Sequence, residues 1–265
     1  MIRIRRVYDT VHPHDRAAVE ETQRILRDRF PDIPESRVAS LPDELRRPTP
    51  DFRAILFVAQ TSGGRVRGFA LMRHAPDLRF AFLDFIAAAR AETGGIGGAL
   101  YERVREEAAA LDCTAIFMEV APDTPALEPD AKLRAANRAR IRFYEAFGAR
   151  PIAGTAYEEP VKPEDTDPPY LVFDDLGQAE ALSRAKARKI VRAILERKYG
   201  ELCPPAYIER VVRSFRDNPV RLRAPKYVTG PEAAAAKRPQ LRKIALIIND
   251  QHSIHHVNDR GYVEA

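Results

Sequence analysis

Apolar and polar positions alternate or recur along the first two thirds of the chain with the periods of regular structure. Ile2–Val7 alternates apolar and basic residues and predicts a strand. Over 15–29, Val19, Ile25 and Leu26 recur among charges, as on one face of a helix. Pro31, Pro34, Pro42, Pro48 and Pro50 break the next stretch into short helical pieces and loops. The runs 54–60 and 66–73 flank Ser62-Gly63-Gly64, a hairpin signal, and 80–86 reads as the next strand. Helix 99–111 places Leu100, Val104, Ala108 and Leu111 on one face, with Glu102, Arg103 and Glu106 outside. Ala115–Val120 predicts a short strand, and a loop with prolines and acids leads to a helix over 132–147. Gly148 stands where that helix would be capped. Runs 149–152 and 170–174 close the pattern around a long loop. These elements predict an α/β (α+β) domain over 1–176, with a mixed, mostly antiparallel central sheet flanked by helices.

The pattern changes after Gly177. A strongly basic amphipathic helix is expected over 178–198, with an aliphatic stripe of Leu182, Ile190, Val191, Ile194 and Leu195. Cys203-Pro204-Pro205 stops it, and 207–215 reads as another short helix, which together make a basic helical extension over 177–217. The segment 218–230 is proline-containing and linker-like, and 243–248 is a strand without sequence neighbours to pair with. The last unit, 218–265, thus reads as a linker and the first strand of a truncated second domain.

Composition adds limits. With 265 residues, 45% hydrophobic and 31% charged, the chain can bury a sizeable core. No apolar run approaches the ~20 residues of a membrane span, and the N-terminus lacks a signal-peptide core. Cys113 and Cys203 are too few for a disulfide scaffold, which makes the cytoplasm the default setting. The net charge of +5 concentrates on the 178–198 helix. Its stripe needs a partner surface and no aromatic platform accompanies its charges, so docking is expected rather than nucleic-acid binding.

The segment Glu92-Thr93-Gly94-Gly95-Ile96-Gly97-Gly98 lies between a strand and a helix. Glycines there let backbone N–H groups converge on an anion, and the helix N-terminus adds partial positive charge. A dinucleotide fingerprint would follow the first strand of a parallel unit, and a triphosphate loop would need Gly-Lys-Ser/Thr; neither pattern fits. Downstream lies Asn137-Arg-Ala-Arg-Ile-Arg-Phe143-Tyr144-Glu-Ala-Phe-Gly148. Together the two segments resemble the GNAT superfamily of acetyl-CoA-dependent N-acetyltransferases, over roughly residues 1–176. Gly95-Ile96-Gly97 matches the core of its pyrophosphate loop, and Asn137, Phe143, Tyr144 and Gly148 match its later helix. Glu92 departs from the usual Gln or Arg, and Arg140 replaces a usually small residue.

The resemblance implies acetyl-CoA as cosubstrate, with no metal. It implies that Phe85, Ile86 and Ala87 offer backbone contacts to the pantetheine and thioester, that 92–98 holds the pyrophosphate, and that Asn137 bonds the pantetheine. Tyr144 would be the general acid at the sulfur. The base is Glu119, with Asp84 as its competitor. Glu158 and Glu159, in an acidic loop, point to a cationic primary amine as acceptor, a polyamine or a lysine side chain. A non-catalytic acyl-CoA sensor is the alternative, and a homodimer is compatible with either. The end of the chain, 242–265, is similar to the opening of the histone deacetylase/acetylpolyamine amidohydrolase family, which implies a fusion partner beyond residue 265. His252, His255 and His256 make a weak metal pattern by themselves.

Overall fold

The computed structural model describes residues 2–89, 95–162 and 168–228. Seven strands make one sheet: β1 (Ile2–Val7), β2 (Arg53–Thr61), β3 (Val66–Ala75), β4 (Phe80–Ala88), β5 (Ala115–Val120), β6 (Arg150–Pro151) and β7 (Tyr170–Asp174). Their order is β1-β2-β3-β4-β5-β7-β6. All neighbours are antiparallel except β4 and β5, which run parallel. The helices among the described residues are α1 (Pro13–Arg29), α2 (Glu35–Ala39), α3 (Leu41–Arg46), α4 (Ile96–Ala110), α5 (Ala131–Glu145), α6 (Arg184–Tyr199) and α7 (Pro205–Ser214). A parallel pair needs a crossover, and α4 provides it between β4 and β5.

Alternation along the strands sends side chains to two faces. On one face Leu83, Ile116, Met118 and Val120 pack with Leu100, Tyr101 and Val104 of α4 and with Ile141 and Tyr144 of α5. The other face is covered in two halves. Leu56, Val58, Phe69 and Leu71 meet Val19, Leu26 and Leu41 from α1 and α3. Phe80, Phe82, Phe117 and Phe173 meet Ile190, Val191 and Ile194 of α6 and Val211 of α7. The aliphatic stripe of the basic helix therefore finds its partner surface on the sheet itself. Much of its charge is also used internally: Arg188 donates to the Phe215 carbonyl at 3.1 Å, Arg192 to Glu209 at 2.7 Å, and Arg197 to Asp77 at 2.6 Å.

Three boundaries differ from the sequence reading for local reasons. α6 starts at Arg184, where Ser183 Oγ accepts the Lys186 N–H at 3.3 Å and caps the helix. α4 begins at Ile96, because its first turn takes in Gly97 and Gly98. β6 shrinks to two residues: past Pro151 the Ile152 N–H still donates to the Leu171 carbonyl at 2.8 Å, and Ile152 then bridges Leu222 on its other side.

The linker-like segment is extended but tied down through residue 228. Leu222 bridges Ile152, and the Arg223 N–H donates to the Pro151 carbonyl at 2.8 Å. Buried Asp123 accepts from Arg223 at 2.8 Å, from Lys226 at 3.0 Å and from the Tyr227 hydroxyl. Glu145 accepts the backbone N–H groups of Lys226, Tyr227 and Val228 at 3.1, 2.7 and 3.2 Å. The strand expected over 243–248 and the histidines 252, 255 and 256 lie outside the described residues.

Candidate active site

The site begins with an irregularity in β4. The ladder with β3 steps from Leu71↔Phe85 to Met72↔Leu83, which leaves Asp84 as the extra residue of a bulge. Pairing of β4 with β5 stops at Leu83↔Met118, although β4 runs on to Ala88 and β5 to Val120. Beyond the bulge the two parallel strands part. The free edge of β4 then carries backbone N–H and C=O groups without a β5 partner. A cavity of about 580 Å³ opens there, lined by Asp84, Phe85, Ile86 and Ala87 of β4, Glu119 of β5, Gly97 of α4, and Arg140, Phe143 and Tyr144 of α5.

One end of this cavity is the start of α4. Gly95, with φ of 87°, holds the N-cap in the left-handed region that favours glycine. Among the described residues no side chain caps this end, and no acid stands in its first turn. The first N–H groups of a helix have no partner inside it, so they converge here as donors for an anion. A Cβ added at Gly95, Gly97 or Gly98 would meet no atom within 4 Å, so the glycines leave open space and are not required by packing. This arrangement fits the diphosphate of a coenzyme A. Glu92, Thr93 and Gly94, expected in the same loop, lie outside the described residues.

α5 is fixed by Asp130, whose carboxylate accepts the N–H groups of Lys132 and Leu133 at 2.7 and 2.8 Å. Tyr144 sits on its inner face, with its ring 5.2 Å from Tyr101 and 5.0 Å from Phe143. Its hydroxyl has no hydrogen-bond partner among the described residues, and burial pushes its pKa up, so the phenol keeps its proton. Asn137 is buried, and both ends of its amide are engaged: Nδ2 donates to the Pro122 carbonyl at 2.8 Å, and Oδ1 accepts from Arg140 at 2.9 Å. Arg140, one of the two departures noted in the sequence, is thereby part of the strap that ties α5 to the end of β5.

The other end of the cavity is charged. Glu119 Oε1 accepts the Tyr157 hydroxyl at 2.6 Å; Oε2 accepts Lys198 Nζ at 2.6 Å and the Tyr199 hydroxyl as well. Asp84 Oδ2 accepts from Arg37 at 2.7 Å and from Arg73 at 3.0 Å, and Lys198 Nζ lies 3.4 Å from Oδ1. Burial pushes the Asp84 carboxyl up, but Lys198, Arg73 and Arg37 more than reverse this and hold it well below the usual carboxylate range. Lys198 shows the mirror effect: burial favours its neutral form, yet Glu119 and Asp84 hold it above the ordinary lysine range. Glu158 and Glu159 are not among the residues lining this cavity. Glu158 is half-buried, and burial raises its pKa. Glu159 is exposed and lies 3.4 Å from Arg210.

Sequence reading missed Arg37, Tyr157, Lys198 and Tyr199 as neighbours of this site. Lys198 stood in a row of basic helix positions, and only its place on the last turn of α6, beside Phe82 and Glu119, sets it apart. Among the described residues no group of three or more His, Cys, Asp or Glu side chains could hold a metal ion, and no helix is long and apolar enough to cross a membrane.

No match is found among curated proteins. Among solved structures, an N-acetyltransferase from Staphylococcus aureus Mu50 is 19% identical with a TM-score of 0.46, over 66% of this chain and 99% of that one. The ribosomal-protein-S18-alanine N-acetyltransferase from Escherichia coli is 19% identical with a TM-score of 0.46, over 68% and 97%. An aminoglycoside 6'-N-acetyltransferase complexed with coenzyme A is 16% identical with a TM-score of 0.48, over 65% and 96%. Residues 19–149, from α1 to the end of the α5 segment, match the acetyltransferase (GNAT) family. The chain therefore carries an N-acetyltransferase domain of the GNAT family.

Proposed function

We propose that this domain transfers the acetyl group of acetyl-CoA to a primary amine of a cationic acceptor, a lysine side chain or a polyamine. One observation carries the reading: a single cavity joins the open N-terminus of α4, the free edge of β4, the Tyr144 phenol and two carboxylates. Bound acetyl-CoA supplies an activated thioester acyl group. The α4 N–H groups and Gly95, Gly97 and Gly98 would hold its diphosphate, and the backbone of Phe85, Ile86 and Ala87 would orient the pantetheine. Tyr144 holds a proton at its hydroxyl for the departing sulfur. Glu119 is the base: four lone-pair sites on its carboxylate meet three donors, which leaves one site on Oε1 for a proton taken directly or through water. Asp84, whose proton affinity is low, serves better as a fixed negative charge than as a base. That an alkylammonium suits this end of the cavity is supported by Lys198, whose own ammonium sits between the two carboxylates. A cytoplasmic setting goes with this reading, as do two buried, unpaired cysteines.

That Asp84 and Glu119 are engaged by Arg37, Arg73 and Lys198 also favours a second reading, a non-catalytic acyl-CoA sensor within an acetyltransferase–deacetylase fusion. Thiol release from acetyl-CoA across a panel of amines separates the two. Turnover with cationic amines, reduced about a hundredfold or more in kcat by Tyr144→Phe with CoA affinity retained, is the outcome expected of the enzyme. CoA binding without turnover on any amine would favour the sensor.

A further inference from the structure

The ammonium of Lys198 occupies a cage. Besides Glu119 Oε2 at 2.6 Å and Asp84 Oδ1 at 3.4 Å, it lies 4.5 Å from the centroid of the Phe82 ring and 4.7 Å from that of Tyr199. Two carboxylates with two ring faces form a site for an alkylammonium ion. The cage is not saturated: Asp84 Oδ1 is buried and accepts no hydrogen bond among the described residues. Both carboxylates also line the acetyl-transfer cavity, whereas Lys198 does not. The α6 backbone is anchored, because Ile190, Val191 and Ile194 are fully buried against the sheet. The Lys198 side chain keeps 18% of its surface exposed and is carried on a four-carbon stem with rotatable bonds.

We propose that Lys198 is a specificity-determining residue: it fills a second ammonium subsite from inside, so that the domain favours acceptors presenting a single amine over diamines and polyamines. The inference rests on the proposed amine acetyltransferase reading and narrows it toward lysine-like acceptors. A monoamine brings its nitrogen to the reacting end and leaves the cage to Lys198. The second ammonium of a diamine can gain Asp84 and Glu119 only by expelling Lys198, and the like charge opposes it until it does so.

Cadaverine and n-pentylamine have the same carbon chain and differ by one ammonium group. Their binding to the full chain in the presence of CoA, followed by calorimetry, tests the proposal. Lys198→Met should tighten cadaverine about tenfold and n-pentylamine by less than about twofold, while Lys198→Arg keeps the wild-type ratio. An equal change for both amines, or no change, overturns it. Should Lys198→Met fail to fold, the side-chain ammonium NMR signal of Lys198 in the wild-type protein decides: it must move with saturating cadaverine and stay with n-pentylamine, and a signal unmoved by cadaverine overturns the proposal. These readouts need no turnover. Absence of acetyl transfer with the Lys198 discrimination intact would sink the proposed function alone; an active wild-type enzyme without that discrimination would sink this inference alone.

Discussion

The two ends of the cavity are built on opposite principles. The proposed cofactor end is made of backbone: a strand edge, a helix N-terminus and glycines that leave open space, with one phenol among aromatic rings. The proposed acceptor end is made of side chains in which Asp84, Glu44 and Glu119 meet Arg37, Arg73 and Lys198. Backbone donors recognise any diphosphate at low cost in sequence. A balanced ion network must be complete to be stable, because each buried charge left alone is expensive. On the proposed function, the contrast teaches that the generic half of the reaction is secured by local geometry, and the selective half by long-range pairing.

This difference is sharpest at Asp84. Its side chain is 1% exposed and faces three cations, so Asp84→Asn should destabilise the fold by about 3–5 kcal/mol in denaturant unfolding. A loss under about 1 kcal/mol would mean that the network is not a stability element, and the contrast between the ends would fail.

A second test asks whether the cofactor end is as local as it looks. α5 is held through Glu145, and the chain after β5 through Asp123, by a segment far along the sequence. Burial raises the Asp123 carboxyl, but Tyr227, Lys226 and Arg223 lower it to about 2 from an ordinary 3.8. A depressed carboxyl contributes stability above its unfolded pKa and loses it as pH falls through the folded value. The wild-type protein should therefore lose stability between about pH 4 and pH 2, and Asp123→Asn should flatten that limb of the pH–stability curve. Identical acid limbs would release the tail from this role.

The smallest effect is expected at Gly97. A Cβ there meets nothing within 4 Å, so Gly97→Ala should raise stability by up to about 1 kcal/mol through helix propensity. Because Gly97 lines the cavity, the same change should weaken CoA binding, measured by calorimetry. Unchanged CoA affinity would remove α4 from the cofactor end.

How much of this was legible in advance follows the same division. β5 and β7 fall where short apolar runs put them, since the signal of a buried strand lies in its own consecutive residues. The strand–glycine–helix junction and the Asn137 to Tyr144 spacing needed only neighbours in sequence. The bulge at Asp84 left no mark in the apolar pattern, because it is a matter of register with β3. Glu158 and Glu159 looked like an acceptor patch by charge alone, whereas the carboxylates lining the cavity are Asp84 and Glu119.

By itself the sequence determined the α/β alternation, the mostly antiparallel sheet and the glycine-lined helix start, because each depends on periodicity or on residues a few positions apart. Only the tertiary structure decided that α6 packs on the sheet and brings Lys198 and Tyr199 to Glu119, across 79 and 80 positions of chain. Contacts of that separation are set by how amphipathic faces stack, and a one-dimensional pattern shows that a face needs cover without saying which surface provides it.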